Sequence, residues 1–325
     1  MRTLAAGLLL VMALASCAPA PENAPTGTPE AGGGKTRVAL VTNSASDFWT
    51  FAHAGALEAA KEFNCDVEYK IPAQGTVQEQ QQIVEDLIST GVSGIAISPL
   101  DPKNQTEMLN AAAAKVNLVT QDSDAPDSNR ACYVGTDNHA AGVEAGKLIK
   151  QALPKGGKIM LFVGTLDAQN ARDRKQGIED ELKGSGIEVV DTRTDETDRV
   201  KAVANVQDAI SSYPDLAGLV GLWSYNGPAI LTGVRDSGKL GQVQIICFDE
   251  ESATLQGVKE GQIAGTIVQQ PYKFGYESVK LLSQLQKGDT SGVPESKQVF
   301  VPVRTITKDN VADFEAELSK LRQAS

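Results

Sequence analysis

The sequence predicts an α/β protein made of two similar, doubly wound parallel-sheet domains. From Lys35 onward, short apolar runs alternate with helix-length amphipathic segments, the pattern of parallel strands joined by crossover helices. The second half of the chain then repeats the same kind of unit. Most of the apolar runs end in small or acidic residues, at the place where an open α/β sheet receives a ligand.

In the first half, the runs Arg37–Thr42, Val67–Ile71, Gly94–Ser98, Asn117–Asp122 and Ala131–Gly135 predict strands. Amphipathic segments near Phe48–Phe63, Val77–Thr90 and Asn104–Ala114 predict the helices between them, with Gly91 and Gly94 placed as helix-ending residues. In the second half, strands near Lys158–Val163, Ile187–Asp191, Gly218–Leu222, Gln244–Asp249 and Gly265–Gln269 alternate with helices near Asn138–Leu153, Ala171–Lys183, Arg199–Tyr213, Pro228–Ser237 and Ser252–Glu260. A helix over Tyr272–Gln286, a strand over Val299–Val303 and a terminal helix from about Asn310 are surplus to two sequential domains. The chain is therefore expected to cross back between them.

The N-terminus has a different character. Met1-Arg2, an apolar run from Leu4 to Leu14 and the small residues Ala15-Ser16 have the layout of a secretory signal, and the run is shorter than the ~20 residues a membrane span needs. Leu14-Ala15-Ser16-Cys17 resembles a bacterial lipoprotein signal, which implies removal of residues 1–16 and lipid attachment at Cys17. Residues 17–35, rich in Pro and Gly, then form a lipid-anchored flexible tether with a reach on the order of 20–25 Å.

Composition excludes several classes. The net charge is −11, and the chain has no Lys/Arg cluster, so a nucleic acid is not expected as partner. Cys65, Cys132 and Cys247 fit neither a disulfide framework nor a zinc spacing and are expected as buried thiols. The only histidines, His53 and His139, lie in helix patterns outside any triad or metal spacing. No Gly-x-Gly-x-x-Gly follows a strand, and Asp122, Asp124 and Asp127 lack the glycine and closing glutamate of a calcium loop. No metal and no cofactor are expected.

The strand ends hold the chemistry. Thr42-Asn43-Ser44-Ala45-Ser46-Asp47 leads into Phe48-Trp49; further ends are Gln121-Asp122-Ser123-Asp124, Thr136-Asp137-Asn138, Trp223-Ser224-Tyr225-Asn226, Phe248-Asp249-Glu250 and Val268-Gln269-Gln270, and Ala171-Arg172-Asp173-Arg174 opens a helix. Aromatics, carboxylates, amides and arginine without an evident nucleophile suit a sugar. Flat rings pack on its C–H faces, and planar polar groups pair hydroxyls that would each cost ~1–3 kcal/mol if buried unpaired.

In their order and spacing these segments resemble the periplasmic sugar-binding proteins of ABC transporters, of the ribose-binding type, over roughly residues 36–320. The resemblance rests on Arg37–Val41 with Phe48-Trp49, Gly94–Pro99, Asp122, Asp137-Asn138, Arg172, Cys247-Phe248-Asp249 and Thr266–Gln269. It implies the type I periplasmic binding protein fold, two lobes joined by three crossover strands, with residues 36–137 plus 270–299 in one lobe and 138–269 plus 300–325 in the other. It also implies a monosaccharide ligand, pentose or hexose, an ABC transporter permease as client, hinge residues Asp137 and Asn138, and a monomer without enzymatic activity at the cell envelope. Ligand binding is expected from Asn43, Phe48, Trp49, Asp122, Arg172, Trp223, Tyr225, Asn226, Asp249 and Gln269. Ser123, where ribose binders carry arginine, and the Trp223–Gly227 segment depart from the ribose pattern, so a larger or differently oriented sugar is expected. Alternatives are a sensor or chemoreceptor client, a nucleoside or furanosyl signal as ligand, and a cleft glycosidase using Asp122 and Asp249 as its carboxylate pair.

Overall fold

The computed structural model describes residues 35–323. The expected signal, Cys17 and all of the expected tether but Lys35 lie outside the described residues.

The first lobe begins with β1 (Thr36–Val41), α1 (Asp47–Phe63), β2 (Cys65–Lys70), α2 (Val77–Ser89), β3 (Gly94–Ile97), α3 (Pro102–Ala113), β4 (Asn117–Gln121) and β5 (Cys132–Gly135). The chain then crosses to the second lobe through α4 (Asn138–Ala152), β6 (Gly157–Val163), α5 (Gln169–Leu182), β7 (Ile187–Thr194), α6 (Arg199–Ser212), β8 (Leu216–Gly221), α7 (Asn226–Asp236), β9 (Gln244–Phe248), α8 (Ser252–Glu260) and β10 (Gly265–Val268). It returns with α9 (Pro271–Gln286) and β11 (Gln298–Phe300), and crosses a third time into β12 (Arg304–Ile306) and α10 (Val311–Gln323).

The two sheets have matching strand orders, β11-β5-β4-β3-β1-β2 and β12-β10-β9-β8-β6-β7. All described pairings are parallel except β10 with β12. The expected single strand Val299–Val303 instead ends at Phe300. Val299 and Phe300 pair with Val134 and Gly135 in the first sheet, and Arg304 to Ile306 pair with Val268 to Thr266 in the second. Pro302, which has no N–H to donate, lies in the crossing between them. Phe300 thus belongs to the first sheet, one residue beyond the boundary expected from sequence.

Apolar strands fully buried on both faces lie inside each sheet, such as Gly94–Ile97 in the first and Gly265–Val268 in the second. Two helix pairs cover them at backbone contact. A Cβ on Gly55 would lie 1.9 Å from Tyr272 O and one on Gly275 1.8 Å from Ala52 O, so α1 and α9 touch through glycines. In the second lobe, Gly142 and Gly177 play the same part for α4 and α5, with Cβ positions 2.2 Å from Arg174 O and 2.1 Å from His139 O. In each lobe, the helix that follows a crossing is locked to a helix that starts at the cleft.

Candidate functional site

The carboxyl ends of both sheets converge on one cleft. Its centre is a pair of aspartates at equivalent positions, Asp122 after β4 and Asp249 after β9. Both have left-handed backbone, φ 61° and 67°. Non-glycine residues adopt this conformation at a cost of roughly 1–2 kcal/mol, which Asp tolerates better than most. Each backbone N–H is held by the next strand, Asp122 by Val134 O at 3.1 Å and Asp249 by Ile267 O at 2.9 Å. The strained turn aims each carboxylate off the sheet edge.

From the first lobe, Ser98 Oγ and Asn43 Nδ2 donate to Asp122 Oδ2 at 2.8 and 3.3 Å. Asn43 Oδ1 in turn accepts from Trp49 Nε1 at 3.1 Å, which fixes the indole beside the cleft. Phe48 meets Trp49 edge-on at 5.0 Å and also packs against Phe274. From the second lobe, Asn170 Nδ2 donates to the same Asp122 oxygen at 3.3 Å. All three of these bonds end on Oδ2.

Arg174 stands between the two acids. Its Nε donates to Asn138 Oδ1 at 2.9 Å and its Nη1 to Leu222 O at 2.7 Å; Nη1 lies 3.9 Å from Asp249 Oδ2, and the guanidinium sits 4.6 Å over the Phe248 ring. Arg174 Nη2 is buried without a partner among the described residues, as is Gln269 Oε1, while Gln269 Nε2 donates to Asp249 Oδ1 at 2.9 Å. Burial pushes both aspartate carboxyls above their ordinary range, against the pull of Arg174 and their hydrogen-bond donors. Unsatisfied donors and acceptors, held in place and facing a cavity, are what a polar ligand would satisfy.

The cavity is lined from both lobes by Asn43, Phe48, Trp49 and Asp122 and by Asn170, Arg174, Trp223, Tyr225, Asp249 and Gln269, with Ser44, Ser46 and Ser224 at its edges. About 30 Å³ is open to the centre of a water-sized sphere, room for on the order of two waters.

Most of the residues expected from sequence meet here, and two do not. Arg172 points away: it donates to Leu166 O at 2.8 Å, to Asp167 O and to Gln169 Oε1 at 2.8 Å. Because α5 starts at Gln169, two residues before the expected start, Asn170 and Arg174, one helical turn apart, share the inward face with Gly177 and Ile178. An arginine on the helix face that carries Ala171, Gly177, Ile178 and Leu182 was the available signal for Arg174. Asn226 is also displaced from the cavity. Its Oδ1 accepts from Trp223 N at 3.0 Å and its Nδ2 donates to Asp195 Oδ2 at 3.2 Å, so it braces the aromatic turn from behind.

At the first crossing, Asp137 caps α4 by accepting from Ala140 N at 2.9 Å, and Asn138 Nδ2 donates to Asp122 O at 3.3 Å and to the Tyr133 hydroxyl at 3.2 Å. Asp124, adjacent in sequence to the cleft, is buried in an ion pair with Arg130, which also donates to Lys297 O at 3.1 Å. Among the described residues, no three His, Cys, Asp or Glu side chains form a group that could hold a metal ion. Cys65, Cys132 and Cys247 are buried and free.

A family model described as the periplasmic binding protein domain matches residues 38–290. The D-ribose/D-allose-binding protein of Pseudomonas aeruginosa is 26% identical over 293 residues, covering 86% of this chain and 90% of that one. Among solved structures, an ABC transporter solute binding protein from Burkholderia graminis in complex with D-arabinose has a TM-score of 0.80 at 32% identity, covering 85% and 96% of the two chains. GanP, a glucose-galactose binding protein from Geobacillus stearothermophilus, has a TM-score of 0.80 at 29% identity, covering 85% and 98%. With the family model matching most of its length and two crossed-over α/β lobes facing one polar cleft, the chain belongs to the periplasmic binding protein family, among the type I sugar-binding proteins of ABC transporters.

Proposed function

We propose that this protein captures a monosaccharide in the cleft by hinge closure and delivers it to an ABC transporter permease. The observation that carries this reading is the Asp122, Arg174 and Asp249 cluster: two carboxylates presented from opposite lobes by equivalent strained turns, with one guanidinium between them. Ionised carboxylates accept from sugar hydroxyls, and Arg174 Nη2 and Gln269 Oε1 supply a further donor and acceptor. Phe48, Trp49, Trp223 and Tyr225 offer ring faces to the C–H surface. The pentose and the hexoses named for structural relatives support a monosaccharide of either size.

A cavity of about 30 Å³ does not admit a monosaccharide as it stands. Entry therefore requires the lobes to part at residues 136–137, 269–270 and 301–303, with Asp137 and Asn138 at the first crossing, and a ligand touching both lobes then favours the closed arrangement. The protein acts as a binding component without catalysis, and as a monomer. Cys17 carries the lipid, and the segment up to residue 35 tethers the lobes to the envelope membrane near the permease.

Thermal unfolding with a panel of pentoses and hexoses tests the reading. A sugar at about 100 times its Kd adds about 2.7 kcal/mol to stability, which raises Tm by roughly 5 °C. A panel in which no monosaccharide raises Tm overturns the assignment.

A further inference from the structure

Asp195 follows β7, is buried and does not line the cavity. Its Oδ1 accepts from the Tyr225 hydroxyl and from Thr197 N at 2.9 Å, and its Oδ2 accepts from Asn226 Nδ2 at 3.2 Å. Two structures end on this one carboxylate. The first is the aromatic wall of the cleft: Tyr225 packs edge-on against Trp223 at 6.5 Å, and both rings lie so close over Gly164 that a Cβ there would be 2.2 Å from the Trp223 ring. The second is the turn Glu196-Thr197, where two consecutive non-glycine residues have left-handed backbone, φ 57° and 63°. Such a pair is strained and persists only where neighbours hold it. This turn stands at the cleft edge, facing the first lobe: a Cβ on Gly75 would lie 3.6 Å from Thr197 Oγ1.

We propose that Asp195 is the positioning residue of the sugar cleft, whose carboxylate binds the Trp223–Tyr225 wall and the Glu196-Thr197 turn into one rigid unit and so sets affinity and sugar selectivity without touching the ligand. This rests on the sugar-binding reading above. The Tyr225 hydroxyl hydrogen is committed to Asp195, so toward the cleft this residue offers its ring and oxygen lone pairs and no donor. The wall thereby favours sugars that bring a C–H face or a donating hydroxyl to it.

The groups around Asp195 are Tyr225 and Asn226 at the start of α7, Thr197 in the turn, Lys201 on α6, and Arg199, which lies 5.4 Å over the Tyr225 ring and 3.6 Å from Glu251. Burial pushes the Asp195 carboxyl up to about 6, against the pull of these partners. Below that pH one oxygen carries a proton and the three donors no longer share a full carboxylate. The wall and the turn then loosen.

The experiment compares the wild type with Asp195→Asn and Tyr225→Phe, singly and together, by titration calorimetry with D-ribose, D-arabinose, D-xylose and D-allose at pH 7.5 and 5.0. Hydrogen exchange of residues 195–198 and 223–226 is measured without sugar. The expected result is a loss of about tenfold in affinity for the preferred sugar in Asp195→Asn and a narrowed spread among the four. The double variant should lose less than the sum of the two single variants, since the Tyr225 bond to Asp195 is common to both. The wild type should lose more affinity than Asp195→Asn between pH 7.5 and 5.0, because the acid-linked loss that remains in the variant comes from Asp122 and Asp249 alone. Amide protection in both segments should fall in Asp195→Asn. Unchanged affinity and selectivity in Asp195→Asn, additive losses, or unchanged protection would overturn the proposal. Absence of any sugar binding by the wild type overturns the parent reading instead, and the exchange data then still decide whether Asp195 holds the two segments.

Discussion

Asn170 Nδ2 donates to Asp122 Oδ2 at 3.3 Å, and this bond runs from the second lobe to the first across the cleft. The same amide accepts from Trp223 Nε1 at 3.3 Å, so it is held on its own side by the aromatic wall. Replacing Asn170 with Ala removes a direct tie between the lobes and leaves Asp122 with its two donors from the first lobe. The ligand-free protein should then shift toward the open arrangement, seen as a larger radius of gyration in small-angle X-ray scattering. Sugar affinity should fall by about tenfold or more, the worth of one charge-assisted hydrogen bond.

Arg172 and Arg174 make a paired test of which side of α5 faces the ligand. Arg174→Lys keeps the charge but loses the fork that reaches Asn138, Leu222 O and Asp249 together, so sugar affinity should fall by more than tenfold in calorimetry. Arg174→Met additionally leaves two buried carboxyls without their cation and should lower stability by roughly 3 kcal/mol or more. Arg172→Ala loses only bonds to the loop before α5 and to Gln169 at its start, and should leave sugar affinity within about twofold of wild type. The reverse ranking would return Arg172 to the site.

Burial raises the Asp195 and Asp249 carboxyls, Asp195 to about 6, above the unfolded value near 4. The folded state therefore binds more protons than the unfolded state over this range, and the contribution of these groups to stability falls as pH rises from about 4 through 6. Asp249→Asn abolishes one of the titrations that burial raises, leaving those of Asp122 and Asp195. Its ligand-free Tm at pH 7 should rise by a few degrees, roughly 1–2 kcal/mol, and its Tm should decline less between pH 4 and 7, while sugar binding is lost. A variant less stable than the wild type at pH 7 would show that the Asp249 charge stabilises the empty cleft.

Gly275→Ala probes the contact between α1 and α9. The new methyl carbon would sit 1.8 Å from Ala52 O, a backbone atom that cannot rotate away. The helices must separate, and Tm should fall by about 5 °C or more. Gly288→Ala, with open space around its Cβ but a φ of 76°, should cost only the strain of a left-handed alanine, about 1 kcal/mol.

The sheets were legible in the sequence because each central strand is a short, continuous apolar run between polar turns, as in Gly94–Ile97. The third crossing was not, since Val299–Val303 reads as one apolar run, whereas pairing stops at Phe300, residues 301–303 cross around Pro302 and a separate strand starts at Arg304. Cleft residues at strand ends, Asp122, Asp249 and Gln269, could be placed because a strand end fixes their direction. Residues on helices depended on which face turns inward: the family resemblance points to Arg172, whereas the buried face of α5 carries Asn170 and Arg174. Asn226 follows a strand as well, but it turns back to brace Trp223 and Asp195. Asp195 carried no sequence signal, since its role exists only through Tyr225, thirty residues away.

The glycine contacts that join α1 to α9 and α4 to α5 have a mechanical meaning. Phe48 and Trp49 sit on α1 and Asn170 and Arg174 on α5, whereas α9 and α4 are the first elements after the second and first crossings. Force exerted by a captured molecule on either set of side chains is thus delivered through backbone-to-backbone contact to the chain leaving the hinge, with no compliant side-chain layer between. On the hinge-closure reading proposed above, each lobe would move as a lever from its first residue, with bending confined to the three short segments 136–137, 269–270 and 301–303.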